Sequence, residues 1–236
     1  MNIFGSVPPR RKTSRLNDRF GKAVGSPRTS PGSTACDHRF LALQPIFNRR
    51  REIFGYEALS RSGWDNRFTG DSDAATKMMV RDWMFDGLDE LTGGCRIFLN
   101  CTREALVGGV LTLVSPLTVL ELLETVEPDK EVLAACHKMK VLGYQIALDD
   151  FRHRETMEGL IALADYIKVD FQLSSKEERR EIVCCLKRNT ATLVAEKIET
   201  NEEFEMALGE GFRLFQGYFL GRPKIFSKHK VFPLTT

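Results

Sequence analysis

The sequence predicts a single α/β barrel in which strands alternate with helices, and three observations support this class. The chain has 236 residues, of which 42% are hydrophobic, enough for one large core. From His38 onward, short apolar runs alternate with amphipathic segments. The apolar runs number eight, which is the strand count of a (β/α)8 barrel of the TIM type.

The eight apolar runs predict the strands in chain order. They cover residues 40–47, 52–59, 96–101, 118–123, 145–150, 166–171, 192–198 and 213–220. Only residues 48–51 separate the first two runs, which is too short for a helical crossover. We therefore expect an antiparallel hairpin at the start, so that the first strand makes the barrel irregular.

Helices are predicted between these runs, because apolar residues there recur at helical spacing among charged ones. The predicted helices cover residues 74–91, 130–142, 155–164, 176–187 and 202–208. Gly143 and Gly211 stand where two of them would end.

Charge divides the chain into two parts at residue 37. Residues 1–37 carry seven basic and two acidic side chains, so the remainder is negative although the formal net charge is +2. This segment is rich in Pro, Ser and Gly and has few apolar residues, which predicts a disordered basic arm followed by a barrel domain over 38–236. The basic run at 10–12 is short, so we expect a solvated arm without a nucleic-acid partner.

Cysteine usage and hydropathy exclude other classes of protein. The six cysteines show no C-x-x-C spacing, which argues against a zinc site and against a disulfide framework. No apolar stretch approaches the roughly 18 residues of a membrane span. These observations predict a cytoplasmic protein without a membrane span.

Polar side chains stand at the end of every predicted strand, where the strands of a barrel converge on one mouth. One acid in such a place usually caps a helix or faces solvent. Several acids at one mouth repel one another unless a divalent cation is bound, and oxygen ligands without Cys or His favour Mg²⁺ or Mn²⁺. Two such ions are the usual means of activating water against a phosphodiester. The strand-end residues are Gln44, Glu57, Asn100, Glu121, Glu124, Asp149, Asp150, Lys168, Asp170, Glu196, Glu199 and Gln216.

Ordered motifs at these strand ends resemble those of the EAL-domain phosphodiesterases, which hydrolyse the bacterial second messenger cyclic di-GMP. The resemblance covers about residues 40–224 and is closest to the compact EAL domains of EAL-HDOD proteins, although no HDOD part is present. The motifs are Q-P-I at 44–46, E-A-L-S-R at 57–61, N at 100, E-L-L-E at 121–124, D-D-F at 149–151, K-V-D at 168–170, E-K-I-E-T at 196–200 and Q-G-Y at 216–218.

The resemblance implies a role for each of these residues. Two ions, Mg²⁺ or Mn²⁺, would be held by Glu57, Asn100, Glu121, Asp149 and Asp150. Lys168 and Glu196, with Glu57, would be catalytic, and Glu124 would brace the loop after Asp150. The residues that would bind cyclic di-GMP are Gln44, Arg61, Asp170, Glu199 and Gln216.

Departures from the family pattern, above all in the loop after Phe151, leave a second function open. Arg152, His153 and Arg154 replace a Gly-Thr-Gly loop, and Lys197 stands where glycine is common. The new side chains restrict the backbone and add cations beside a metal site. The alternative is a catalytically inactive cyclic di-GMP receptor or a scaffold for a protein partner. The family also suggests a homodimer.

Overall fold

The computed structural model describes residues 38–61, 71–81, 88–152, 154–186 and 189–229. The predicted arm at 1–37 and His153 lie outside these residues. Within them the chain forms nine strands, and none of the helices is long and apolar enough to cross a membrane. The strands are β1 His38–Asn48, β2 Ile53–Arg61, β3 Arg96–Cys101, β4 Thr118–Leu122, β5 Gln145–Leu148, β6 Tyr166–Asp170, β7 Thr192–Glu196, β8 Leu214–Phe215 and β9 Lys224–His229.

Helices follow most of the strands. Short 3₁₀ turns at Val110–Leu113 and Glu155–Met157 add to them. The α-helices are α1 Ser72–Met79, α2 Leu88–Thr92, α3 Arg103–Val107, α4 Lys130–Val141, α5 Glu158–Ile161, α6 Lys176–Cys185 and α7 Asn201–Glu210.

The strands close into an eight-stranded mixed barrel, which confirms the predicted fold class. Strands β2 to β8 run parallel in chain order, and β1 closes the barrel by pairing antiparallel with both β2 and β8. The pairing of β1 with β2 is long, whereas β1 meets β8 only at Phe47 and Asn48. Strand β9 lies outside the barrel against the first half of β1.

The hairpin between β1 and β2 follows from its turn residues. The Oδ1 atom of Asn48 accepts hydrogen bonds from the backbone N–H groups of Arg50 and Glu52, at 2.8 and 3.0 Å. Arg51 takes a positive φ of 57°, which completes the reversal. The predicted antiparallel hairpin is therefore confirmed.

Side-chain caps begin the helices close to the strand ends and so keep the loops at the mouth short. Thr102 caps α3 and Asp129 caps α4. Ser175 and Thr200 form capping boxes at the starts of α6 and α7, in which a glutamate three residues later bonds back to the cap. Each cap satisfies backbone N–H groups that the first turn of a helix leaves without partners.

Most predicted elements match the structure, and the differences have physical reasons. The last predicted strand, 213–220, is reduced to two residues because the chain turns at Gly217, whose φ is 157°. The predicted helix 74–91 is seen as α1 and α2, with 82–87 outside the described residues. The structure contains β9 and α3, which were not predicted because their sequences lack a clear periodic spacing of apolar residues.

Candidate active site

The site is a polar layer laid directly on an apolar layer inside the barrel. The apolar layer is a separate buried cluster with one side chain from most strands: Ile46, Phe98, Val119, Ala147, Tyr166, Val194 and Leu214. Side chains two positions apart on a strand point to the same face. Two positions nearer the mouth, the same strands therefore direct a second set inward. That set is Gln44, Asn100, Glu121, Asp149, Lys168, Glu196 and Gln216.

Strand β2 adds Glu57 to this polar layer. In the ladder of β1 with β2, Glu57 lies opposite Gln44, and in the ladder of β3 with β4, Asn100 lies opposite Glu121. Glu57 is buried, and Glu121 is fully inaccessible. The acids predicted to converge from separate strands are therefore brought together at one mouth.

Lys168 is the centre of this cluster. Its ammonium lies 2.8 Å from a carboxylate oxygen of Glu196, 3.2 Å from Asp149 and 3.4 Å from Glu57, and it also contacts Glu121. The side chain of Lys168 is only 1% exposed. One buried cation thus faces four carboxylates, and the excess negative charge has to be neutralised by protons or by further cations.

Burial and mutual repulsion shift the pKa values of these groups. Burial raises the pKa of Glu196 to about 8, with repulsion from Asp149 and Glu57 acting in the same direction and Lys168 opposing it. Burial also raises the pKa of Glu121, and Lys168 only partly offsets this. For Lys168, burial favours the neutral amine, but the surrounding carboxylates outweigh it and its pKa is raised.

Three buried polar atoms in the layer have no hydrogen-bond partner among the described residues: Asn100 Oδ1, Glu121 Oε2 and Gln216 Oε1. The amide groups of two of these residues donate to Glu57, Gln216 at 2.7 Å and Asn100 at 3.4 Å. Their oxygens are left as buried acceptors, which is costly unless something else binds them. Oxygen acceptors of this kind among carboxylates are the donor set that Mg²⁺ and Mn²⁺ prefer. The residues present therefore fit a divalent metal.

A second group of carboxylates adjoins the first. Ligand oxygens of Glu124, Asp149 and Asp150 lie within 4.8 Å of one another. Asp150 has a positive φ of 39°, and burial together with Asp149 raises its pKa. The resemblance assigned Asp149 and Asp150 to a second ion and gave Glu124 the bracing of their loop; both roles stay predictions.

The predicted substrate residues are divided among three clefts, and Asp170 lies in a cleft of about 730 Å³ beside Asp149 and Asp150. A central cleft of about 370 Å³ is lined by Gln44, Glu199 and Gln216 together with the central acids. Arg61 lines a neighbouring cleft of about 220 Å³ with Asn100, and its guanidinium donates to the carbonyl of Ser60 at 2.9 Å. The predicted contacts of these residues with cyclic di-GMP stay predictions.

Asp170 is occupied by groups of the protein itself. Its Oδ1 atom accepts the backbone N–H groups of Gln172 and Leu173, at 2.7 and 3.0 Å. Its Oδ2 atom accepts the ammonium of Lys197. A substrate that uses Asp170, as predicted, has to compete with these partners.

Two further residues with polar side chains, Lys197 and Tyr218, line the central cleft without a predicted role. Lys197 follows Glu196 directly, and Tyr218 lies two positions after Gln216 at the rim, 48% exposed with Arg222 over its ring. The strand-end position of Lys197 was visible in the sequence. The direction of its side chain was not, because it depends on the backbone conformation after β7.

The charge of the basic loop after Phe151 is partly neutralised by acids outside the central polar layer. Arg154 lies 3.7 Å from Glu127, and both side chains are at least half exposed. Arg152 adds to the hydrogen bonds at Ser175 in lowering the pKa of Glu178. The two arginines therefore have acidic partners away from the central layer.

The chain is similar to known proteins in both sequence and structure. A family model described as EAL domain matches residues 111–223. The uncharacterized protein YuxH of Bacillus subtilis is 35% identical over 200 residues, covering 81% of this chain and 49% of its own length. The cyclic di-GMP phosphodiesterase CdgJ of Vibrio cholerae is 32% identical over 200 residues, covering 82% of this chain and 46% of its own. The chain thus spans about half the length of these curated relatives.

A solved structure shares the fold. The YkuI protein of Bacillus subtilis, which has an EAL domain and was crystallised with cyclic di-GMP and calcium, superposes with a TM-score of 0.64. It is 24% identical, and the match covers 78% of this chain and 55% of YkuI. The shared architecture is the barrel described above.

Proposed function

The chain belongs to the EAL domain family, and on this premise we propose that it is a divalent-metal-dependent phosphodiesterase that hydrolyses cyclic di-GMP to linear pGpG. The observation that carries the proposal is the buried layer in which one lysine faces four carboxylates, beside amide and carboxylate oxygens without partners. The negative charge of this layer repels a phosphodiester unless cations are bound. Binding of an anionic substrate beside these acids therefore requires divalent metal ions.

The residues of the mouth would hold two metal ions. Glu57, Asn100, Glu121 and Asp149 fit one ion, and Asp149 with Asp150 fits a second. When bound, Mg²⁺ or Mn²⁺ supplies Lewis-acid activation of water and offsets the charge of the phosphate.

Lys168 and Glu196 handle the attacking water. Lys168 donates hydrogen bonds that orient it, and Glu196 accepts its proton. Burial raises the pKa of Glu196 to about 8 in the metal-free protein, and bound cations would lower this pKa and keep the carboxylate ionised at neutral pH. The water oxygen bonds to phosphorus, the phosphorus–O3′ bond breaks, and the departing oxygen takes up a proton. The ring opens, and linear pGpG leaves.

Incubation of purified protein with cyclic di-GMP and Mn²⁺ or Mg²⁺ tests the proposal, with pGpG measured by chromatography. We expect pGpG from the wild type and at least a hundredfold less from Glu196→Gln, because removing a general base typically costs 10²–10⁴-fold. Absence of pGpG at high enzyme concentration would overturn hydrolysis.

The alternative of a silent receptor is motivated by Arg152 and Arg154 in the loop after β5. Calorimetry separates it from the enzyme: a receptor binds cyclic di-GMP and releases it unchanged. Cytoplasmic location, a homodimer and a protein partner remain predictions of the sequence.

A further inference from the structure

Lys197 directs a positive charge into the candidate active site from an exposed position on its wall. It follows the end of β7, and its side chain is 52% exposed. Its ammonium contacts Oδ2 of Asp170 and lies 3.7 Å from Oδ1 of Asp150. The ammonium therefore stands between two acids of the mouth, one of them assigned to the second ion.

The partner of Lys197 is held firmly in place. Asp170 is buried and is fixed through Oδ1 by the backbone N–H groups of Gln172 and Leu173. The side-chain amide of Gln172 also donates to the carbonyl of Lys197, at 3.2 Å. Backbone and side chain of Lys197 are thus both tied to the segment after β6, which keeps the ammonium near Asp150.

The backbone at Lys197 is strained for a residue with a side chain. Its φ is 55°, in the left-handed region where glycine fits without steric cost. Strained positions of this kind persist where the surrounding structure fixes them, and they concentrate at functional sites.

We propose that Lys197 is an internal cation of the site, whose ammonium competes with the second divalent ion at Asp150 and weakens its binding. The inference rests on the proposed function for the assignment of the ion. Lys197 is a positioning residue: its ion pairs are with Asp150 and Asp170, so its effect falls mainly on the ion at Asp150 and less on the ion at Glu57, Asn100 and Glu121.

Binding of Mn²⁺ alone tests this inference without reference to activity. Free Mn²⁺ is measured by electron paramagnetic resonance during titration of the wild type, Lys197→Met and Lys197→Gly. Methionine keeps most of the length of the side chain and removes its charge, whereas glycine also relieves the strained backbone conformation. We expect the Kd of the weaker Mn²⁺ to fall about tenfold in both variants, because one half-exposed unit charge is lost beside the ligand.

Lys140→Met is the matched control. Lys140 is also partly exposed, and its ammonium lies 2.5 Å from Asp165, which likewise accepts a backbone N–H group. Asp165 directly precedes β6, so this ion pair lies at the end of the barrel opposite to the mouth. Its Mn²⁺ titration should coincide with that of the wild type. If both Lys197 variants also coincide with the wild type, the inference is overturned.

The two proposals fail in different ways. A tighter second Mn²⁺ in the Lys197 variants without any pGpG from the wild type supports the role of Lys197 and refutes hydrolysis. Production of pGpG with unchanged Mn²⁺ titrations refutes the role of Lys197 and leaves hydrolysis standing.

Discussion

At the scale of single residues, the chemistry of the mouth depends on one buried lysine. Lys168 supplies the positive charge that four carboxylates share in the absence of metal. Removing one partner of a buried ionic cluster leaves buried charges without compensation. The resulting loss of folding free energy exceeds the stabilisation that the intact cluster contributes.

Lys168→Met is expected to lower the free energy of unfolding of the metal-free protein by about 3–5 kcal/mol at pH 8, because its carboxylates then repel without a counter-charge. Urea unfolding in EDTA measures the loss, and Mn²⁺ should narrow the difference from the wild type. Lys140→Met, at a partly exposed pair, should lose about 1 kcal/mol at most. Equal losses in the two variants would contradict the central place of Lys168.

At the scale of elements, the site depends on how closely the loops after β7 and β8 approach each other. The backbone N–H of Ile198 donates to the carbonyl of Gln216 at 3.0 Å. A Cβ atom on Gly217 would lie 2.1 Å from the carbonyl oxygen of Ile198 and 2.3 Å from its nitrogen. Glycine is therefore required at 217 to hold Gln216 against Glu57.

Gly217→Ala should destabilise the protein by about 1–3 kcal/mol or more, because two backbones have to move apart, and it should displace Gln216 from the mouth. Gly209 provides the control, since it lies in α7 with open space around it. Gly209→Ala should stabilise the protein by about 0.5–1 kcal/mol. Thermal unfolding compares the stability of the two variants. A Gly217→Ala protein as stable as the wild type would refute the close approach of the backbones at Gly217 and Ile198.

The sequence predicted those features that follow from the periodic spacing of apolar residues along one strand or helix. The strands appear as apolar runs, and the acids two positions beyond the apolar layer follow from the alternation of a strand. The contact of Lys197 with Asp170 was not predictable, because it depends on a left-handed backbone at a lysine. Strand β9 was missed because its sequence, KIFSKH, contains no apolar run.

At the scale of the whole molecule, the barrel places more acids than cations at one end. The two clefts beside Asp149 and Asp150 are lined by nine acids: Glu57, Glu124, Asp149, Asp150, Asp170, Glu178, Glu181, Glu196 and Glu199. Their repulsion opposes folding, and a bound cation relieves it. Metal and fold stability are therefore linked.

Mn²⁺ is expected to raise the Tm of the wild type and EDTA to reverse the rise, because an ion that binds only the folded state stabilises it by about 2.7 kcal/mol at a hundred times its Kd. Asn100→Ala removes an unpartnered oxygen and should reduce the rise while changing the metal-free Tm little. A Tm that is insensitive to Mn²⁺ would contradict a metal site in this layer.

The short pairing of β1 with β8, at Phe47 and Asn48, determines the stage of protein synthesis at which the site can form. Gln216 and its partner Glu57 are 159 positions apart, and β8 contributes only two residues to the closure of the barrel. A nascent chain on the ribosome therefore carries Glu57, Asn100 and Glu121 long before the residue that completes their layer has emerged. The complete polar layer therefore forms only after translation has passed residue 216, as a property of the finished barrel.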